Sequence, residues 1–140
     1  MATHYIHRGL AKKNFKENTI PAFKYSFKKK YGVETDLHAT KDNRLVCFHY
    51  YNLNGKFNKN KKIKDINYSY LKKISNKKKA KVPLLNDLIK MSRNKYPLLL
   101  EIKPILSKNN LLSLIKLLKK IKKYGIISFK EKNLLNLYQL

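Results

Sequence analysis

The sequence predicts an α/β protein built on a parallel sheet, either closed into a barrel or doubly wound. Three observations point there. Short apolar runs alternate with stretches of helical period, and the chemically reactive side chains stand only where those runs stop. The 4 glycines form neither a phosphate loop nor a dinucleotide fingerprint. With 140 residues, 43% of them hydrophobic, the chain has the material for one domain with a real core.

The elements follow from punctuation. A strand at about 4–7 ends at Gly9, and 14–18 reads as a loop. A helix is expected from Thr19 to Tyr31, with Pro21 in its first turn and Ala22, Phe23, Phe27 and Tyr31 on one face; Gly32 stops it. Strands at 33–37 and 44–48 flank the polar turn Lys41-Asp42-Asn43, which leaves no room for a helix between them. Residues 52–81, rich in Lys and Asn around Gly55, read as an exposed excursion with one weak helical segment at 68–74. A helix at 85–93 precedes the apolar strand 97–103, whose Leu98-Leu99-Leu100 suits a strand covered on both faces. Leu112, Ile115, Leu118 and Ile121 mark an amphipathic helix over 109–123, ended by Gly125. A fifth strand at 126–129 and a helix from Glu131 to Leu140 complete the series, and no internal repeat is visible.

The formal charge of +25 creates a field that attracts phosphate-bearing substrates. The lysines are spread along the whole length among Asn, Ile and Tyr, the mixture expected of an AT-rich coding sequence. No compact basic motif or interleaved aromatic platform stands out in the chain order, so sequence-specific nucleic acid is not an expected partner. The single cysteine, Cys47, lies in an apolar run and reads as a small core residue. No apolar stretch approaches the roughly 18–20 residues of a membrane span and no secretory leader is evident, so a cytoplasmic location is the simplest expectation.

Only 8 residues are acidic against 33 basic ones, which makes carboxylates at strand ends conspicuous. Glu34 and Asp36 are two apart, so on a strand they leave the same face about 7 Å apart. Glu101 ends another strand, and three anions in one partly buried place need a divalent cation. Oxygen ligands favour Mg²⁺ or Ca²⁺. The simpler alternative pairs these acids with neighbouring lysines at the sheet rim. His7 and His49 also end strands and could act as acid and base, with Arg8 and Lys103 as cations for phosphate oxygens. His4 and His38 lack such company and read as packing or surface residues.

Order and spacing of these residues resemble the glycerophosphodiester phosphodiesterases. The chain reads HRG at 7–9, ENTIPAF at 17–23, GVETDLHATKDNRLVCFH at 32–49, EIK at 101–103 and ISF at 127–129. The resemblance implies a TIM-type (β/α) barrel, here incomplete, with about five of eight strands and no helix between strands 2 and 3. It implies Glu34, Asp36 and Glu101 as metal ligands, His7 and His49 as general acid and base, and Arg8 and Lys103 as phosphate-binding groups. Glu17 and Asn18 would support them. The implied reaction cleaves glycerophosphodiesters to glycerol 3-phosphate and an alcohol, with the neighbouring glycerol hydroxyl as nucleophile.

Three departures from the family pattern matter. Lys16 replaces a usual proline, and Tyr50 follows His49 where an aspartate is common. A complete barrel of this type needs about 250 residues, and the family's later motifs have no counterpart. Two open edges and an uncovered apolar inner face are therefore expected. A longer gene, a second polypeptide or a second copy would cover them. The alternative function is a catalytically weak half-barrel that binds anionic lipid or protein.

Overall fold

The structure, a computed structural model, describes residues 4–14, 16–78 and 80–140. Phe15, in the expected loop, and Lys79, in the expected excursion, lie outside the described residues. Five strands form one sheet: β1 (Tyr5–His7), β2 (Gly32–Ala39), β3 (Leu45–Cys47), β4 (Leu98–Ile102) and β5 (Tyr124–Ile127). The path β1-β2-β4-β5 is parallel throughout, and β3 folds back antiparallel on the far half of β2. The tight turn at Asn43, whose φ is 58°, allows this without a helix.

The helices are α1 (Ile20–Lys28), α2 (Asn54–Phe57), α3 (Tyr68–Lys77), α4 (Leu85–Ser92), α5 (Lys108–Leu118) and α6 (Glu131–Tyr138). Thr19 caps α1 by accepting from the Ala22 N–H, Pro21 sits in its first turn, and Ala22, Phe23, Ser26 and Phe27 are buried. The helix stops at Lys28, three residues short of the expected end, because Lys30 turns left-handed (φ 64°) to deliver the chain to Gly32. Tyr31 thus leaves the helix face and stays partly exposed. Ser107 caps α5 in the same way as Thr19.

Alternation along the strands sorts the sheet into two faces. Val33, Leu37, Ala39, Leu98, Leu100 and Ile102 pack with Phe23, Phe27, Leu88 and Leu114 into the main core beneath the helices. The opposite face carries Glu34, Asp36, His38 and Glu101, all buried, with Leu99 among them. The inner face is therefore mainly polar along β2, not the apolar surface expected. Exposed apolar side chains gather instead around the end of β5 and α6, at Ile127, Phe129, Leu135 and Tyr138.

Three further expectations need correction. Residues 52–81 are not a solvated excursion: Leu53, Phe57, Ile63, Ile66 and Leu71 join Val46, Phe48, Ala80 and Val82 in a second core, with the lysines outside. Asp42 ties that layer to the hairpin, its Oδ1 accepting from the Tyr68 N–H at 2.9 Å and the Thr40 hydroxyl at 2.6 Å. The buried stripe of α5 is Leu111, Leu114 and Leu118, continued by Ile121 beyond the helix end, while Leu112 is exposed. Gly125 lies inside β5 rather than ending a helix, because a Cβ there would meet Leu99 Cδ1 at 3.0 Å. No helix among the described residues is long and apolar enough to cross a membrane.

Candidate active site

All seven singled-out side chains converge at the C-terminal ends of the parallel strands. Register accounts for this. His7 pairs with Glu34 across β1 and β2, and Asp36 pairs with Glu101 across β2 and β4. Glu34, Asp36 and Glu101 each bring an oxygen within 4.8 Å of the others, and all three are buried.

The turn after β1 shapes the rim. Arg8 and Gly9 both adopt positive φ, 56° and 75°. At Gly9 a Cβ would lie 2.8 Å from Phe23 Cδ1, so only glycine lets α1 pack under the turn. The left-handed Arg8 is held by its own side chain, which spans three partners. Nη1 donates to Glu17 Oε1 at 3.0 Å, Nη2 meets His49 Nε2 at 3.1 Å, and Nε lies 3.2 Å from Asp36 Oδ2. That last contact is an ion pair without an aligned N–H, since Arg8 Nε makes no hydrogen bond.

Asp36, fully buried, is the shared partner of the site. Asn18 donates to its Oδ2 at 3.0 Å, His49 Nδ1 lies 3.3 Å from Oδ1, and Lys103 Nζ is 3.7 Å from Oδ1. Burial pushes its pKa up, but the Asn18 and His49 hydrogen bonds and the Arg8 charge outweigh that and hold it below the usual carboxylate range. Glu34 goes the other way. Burial first, then the Asp36 charge, raises it, against the smaller lowering by the Arg8 backbone N–H and His7. Burial lowers the Lys103 ammonium, yet the 2.9 Å contact with Glu101 and the nearby carboxylates keep it above its ordinary value.

A guanidinium only donates, so His49 Nε2, facing Arg8 Nη2, must accept. Its proton then sits on Nδ1, toward Asp36. His7 Nε2 lies 3.8 Å from Glu34 Oε2 with its side chain largely open to solvent. Tyr50, standing where the family pattern has aspartate, packs edge-on against the His49 ring at 4.9 Å.

Two groups stand closer to the site than their sequence reading gave them. His38, read as packing or surface, is buried with Nε2 3.4 Å from the His49 carbonyl; burial drives its pKa down to about 4, so the ring is neutral at neutral pH and donates there. Its ring meets Tyr51 edge-on at 5.1 Å, and the Tyr51 hydroxyl donates to the Lys103 carbonyl at 2.7 Å. The available signal was the two-residue step from Asp36 to His38, which puts both on one face. Asn18, given only a supporting role, proves to be a direct partner of Asp36, with its own Oδ1 accepting from the Thr35 hydroxyl at 2.7 Å.

A parallel sheet with an acidic, cation-ringed mouth at its strand ends is the architecture of a TIM-type α/β barrel, here incomplete with five strands. The profile of the Glycerophosphoryl diester phosphodiesterase family matches residues 7–135, and the chain belongs to that family. Among solved structures it is similar to the glycerophosphodiester phosphodiesterase of Thermotoga maritima, at 24% identity and TM-score 0.83 over 99% of this chain and 59% of that one. The Agrobacterium tumefaciens glycerophosphodiester phosphodiesterase gives 20% identity and TM-score 0.82, covering 99% and 63%. An Oleispira antarctica phosphodiesterase, solved with its product sn-glycerol-3-phosphate, gives 21% and 0.83, covering 99% and 62%. The chain thus spans about three fifths of the length of these relatives. No curated protein matches it.

Proposed function

We propose that this chain supplies the metal-binding and acid–base half of a phosphodiesterase that hydrolyses glycerophosphodiesters to glycerol 3-phosphate and an alcohol. The observation that carries it is the meeting of Glu34, Asp36 and Glu101 within 4.8 Å, flanked by His7 and His49. The product held by the Oleispira antarctica relative is of the same chemistry.

The residues fit a hard divalent cation, Mg²⁺ or Ca²⁺. All three donors are carboxylate oxygens, and burial beside Asp36 leaves Glu34 with more negative field than its neighbours offset. Glu34, Asp36 and Glu101 would hold the ion, which supplies charge neutralisation and Lewis acidity to the phosphate oxygens when bound.

The chain's own groups account for the proton steps. Arg8 and Lys103 grip the non-bridging oxygens, and movement of Arg8 onto phosphate frees the lone pair of His49 Nε2. His49 takes the proton of the glycerol hydroxyl beside the diester while Asp36 steadies Nδ1–H. That oxygen attacks phosphorus, the P–O bond to the alcohol breaks, and His7 protonates the departing alkoxide. Water then opens the cyclic phosphate with the two histidines exchanging roles, yielding glycerol 3-phosphate. No activated serine or cysteine is required, and Cys47 is buried away from the mouth.

The test is glycerophosphocholine hydrolysis with Mg²⁺ or Ca²⁺, together with the metal-induced shift in melting temperature. Both are expected in the wild type. Glu34→Ala should lose both, whereas His49→Ala should lose hydrolysis and keep the shift. Wild-type behaviour in both variants would overturn the assignment.

A further inference from the structure

A concavity of about 760 Å³ lies at the other end of the sheet, where the strands begin. Along β2 its Gly32 stands two residues, about 7 Å, before Glu34 and four, about 13 Å, before Asp36. Its lining holds Lys29, Lys30, Lys95, Lys122 and Lys123 and none of the chain's eight acidic residues. It also holds Tyr5, Tyr31, Tyr96 and Tyr124, four of the ten tyrosines. A lysine surplus is general in this chain. The gathering of tyrosines is not, and folding alone brings them together from four separate segments.

The floor is braced rather than loose. The Gly32 N–H donates to the His4 carbonyl at 2.8 Å, Val33 to Pro97 at 3.1 Å, and Leu98 to Lys123 at 3.0 Å. Asn94 Oδ1 accepts from the Lys122 N–H at 2.7 Å, joining two of the lysine-bearing turns. Gly32 has no room for a Cβ, which would lie 2.8 Å from Pro97 and 3.0 Å from Tyr5. Tyr96 is fixed by stacking on Phe27 at 4.9 Å, while Tyr5, Tyr31 and Tyr124 remain 37–44% exposed.

We propose that this floor binds single-stranded nucleic acid without sequence preference, in a site separate from the proposed catalytic mouth and independent of its function. Lysines set around a concave wall match successive phosphates, and exposed tyrosine faces accept unstacked bases. A duplex keeps its bases stacked and could use only the charges. A lipid surface would call for apolar side chains that protrude, whereas the four tyrosines here are set around a hollow.

The test is fluorescence anisotropy of a labelled eight-nucleotide oligo(dT) with the full chain in EDTA, which silences the metal site. Tyr31→Ala/Tyr124→Ala should weaken binding about 30-fold or more, and Tyr31→Phe/Tyr124→Phe should preserve it. Lys122→Gln/Lys123→Gln should flatten the salt dependence by about 1.4 in log–log slope, whereas Lys64→Gln/Lys72→Gln, with the same charge change elsewhere, should leave affinity within about twofold. The chain has no tryptophan, so its tyrosine emission gives a second readout on the unmutated protein. Oligo(dT) should quench it and tripolyphosphate should not. Equal loss in the two lysine pairs, equal behaviour of the Ala and Phe pairs, or absence of base-dependent quenching would overturn the proposal. So would floor variants that weaken binding to phosphatidylserine vesicles but not to oligo(dT).

Discussion

Replacing Glu34 by glutamine should make the protein more stable without metal and remove most of the stabilisation that metal confers. Glu34 lies within 4.8 Å of both Asp36 and Glu101. Two full charges at that separation and an effective dielectric of about 20 repel by about 3 kcal/mol. The Arg8 N–H, 3.3 Å from Glu34 Oε2, can still donate to the amide oxygen of glutamine, so the substitution removes charge and keeps a bond. Allowing for the opposing field of His7, we expect a gain of about 1–3 kcal/mol in EDTA, or roughly 3–10 °C in melting temperature. The pH dependence has a definite sign. Because the folded pKa of Glu34 is raised above 4.5, the wild type is relieved of the repulsion at pH below that value and loses the relief as pH rises through the folded pKa. The variant's advantage is therefore largest near neutrality and vanishes in acid. With Mg²⁺ at about 100 times its dissociation constant, the wild type should gain about 2.7 kcal/mol and the variant far less. Thermal melts of both proteins, with EDTA and with Mg²⁺ across pH 4 to 8, measure every term. A Glu34→Gln protein that melts below wild type in EDTA, or that keeps the full magnesium shift, would refute the reasoning.

Other expectations come from the same geometry. Asn18→Ala strips Asp36 Oδ2 of its N–H donor in a fully buried setting, and urea unfolding should show a loss of about 1.5–3 kcal/mol. Gly9→Ala combines a left-handed backbone with a Cβ 2.8 Å from Phe23, so a destabilisation of about 2–4 kcal/mol is expected in the same assay. The Cys47 thiol is pushed by burial up to about 12, so it should stay silent toward a thiol reagent at pH 8 and react fully once denaturant is added.

The convergence of the candidate residues was legible because they are rare types in this chain and stand at fixed offsets. Glu34 and Asp36 share a face by strand period, and the strand-end positions of His7, His49 and Glu101 follow from where apolar runs stop. The architecture around it was less legible, for identifiable reasons. Leu53, Phe57, Ile63, Ile66 and Leu71 follow neither a period of two nor one of 3.6, because they sit on short helices and turns that curl over Val46 and Phe48. Lysines between them mask a core that only closure of the chain creates. Gly125 reads as a helix stop by composition, yet its role is to admit Leu99 from the adjacent strand. The α5 stripe was offset by one residue at its start, since Leu111 and Leu112 are chemically alike and only packing chooses between them. His38 and Tyr51 act through contacts with the backbone of His49 and Lys103, which no local pattern announces.

The pairing of Asp36 with Glu101 across β2 and β4 bears on how the sheet assembles. Were β2 to slide by a single step, its acids would turn inward among Leu98, Leu100 and Phe23 and its valine and leucine would face the open mouth. Misaligned intermediates would thus be expelled by the very anions to which we assign the metal, so these carboxylates proofread the chain's alignment whatever they later bind.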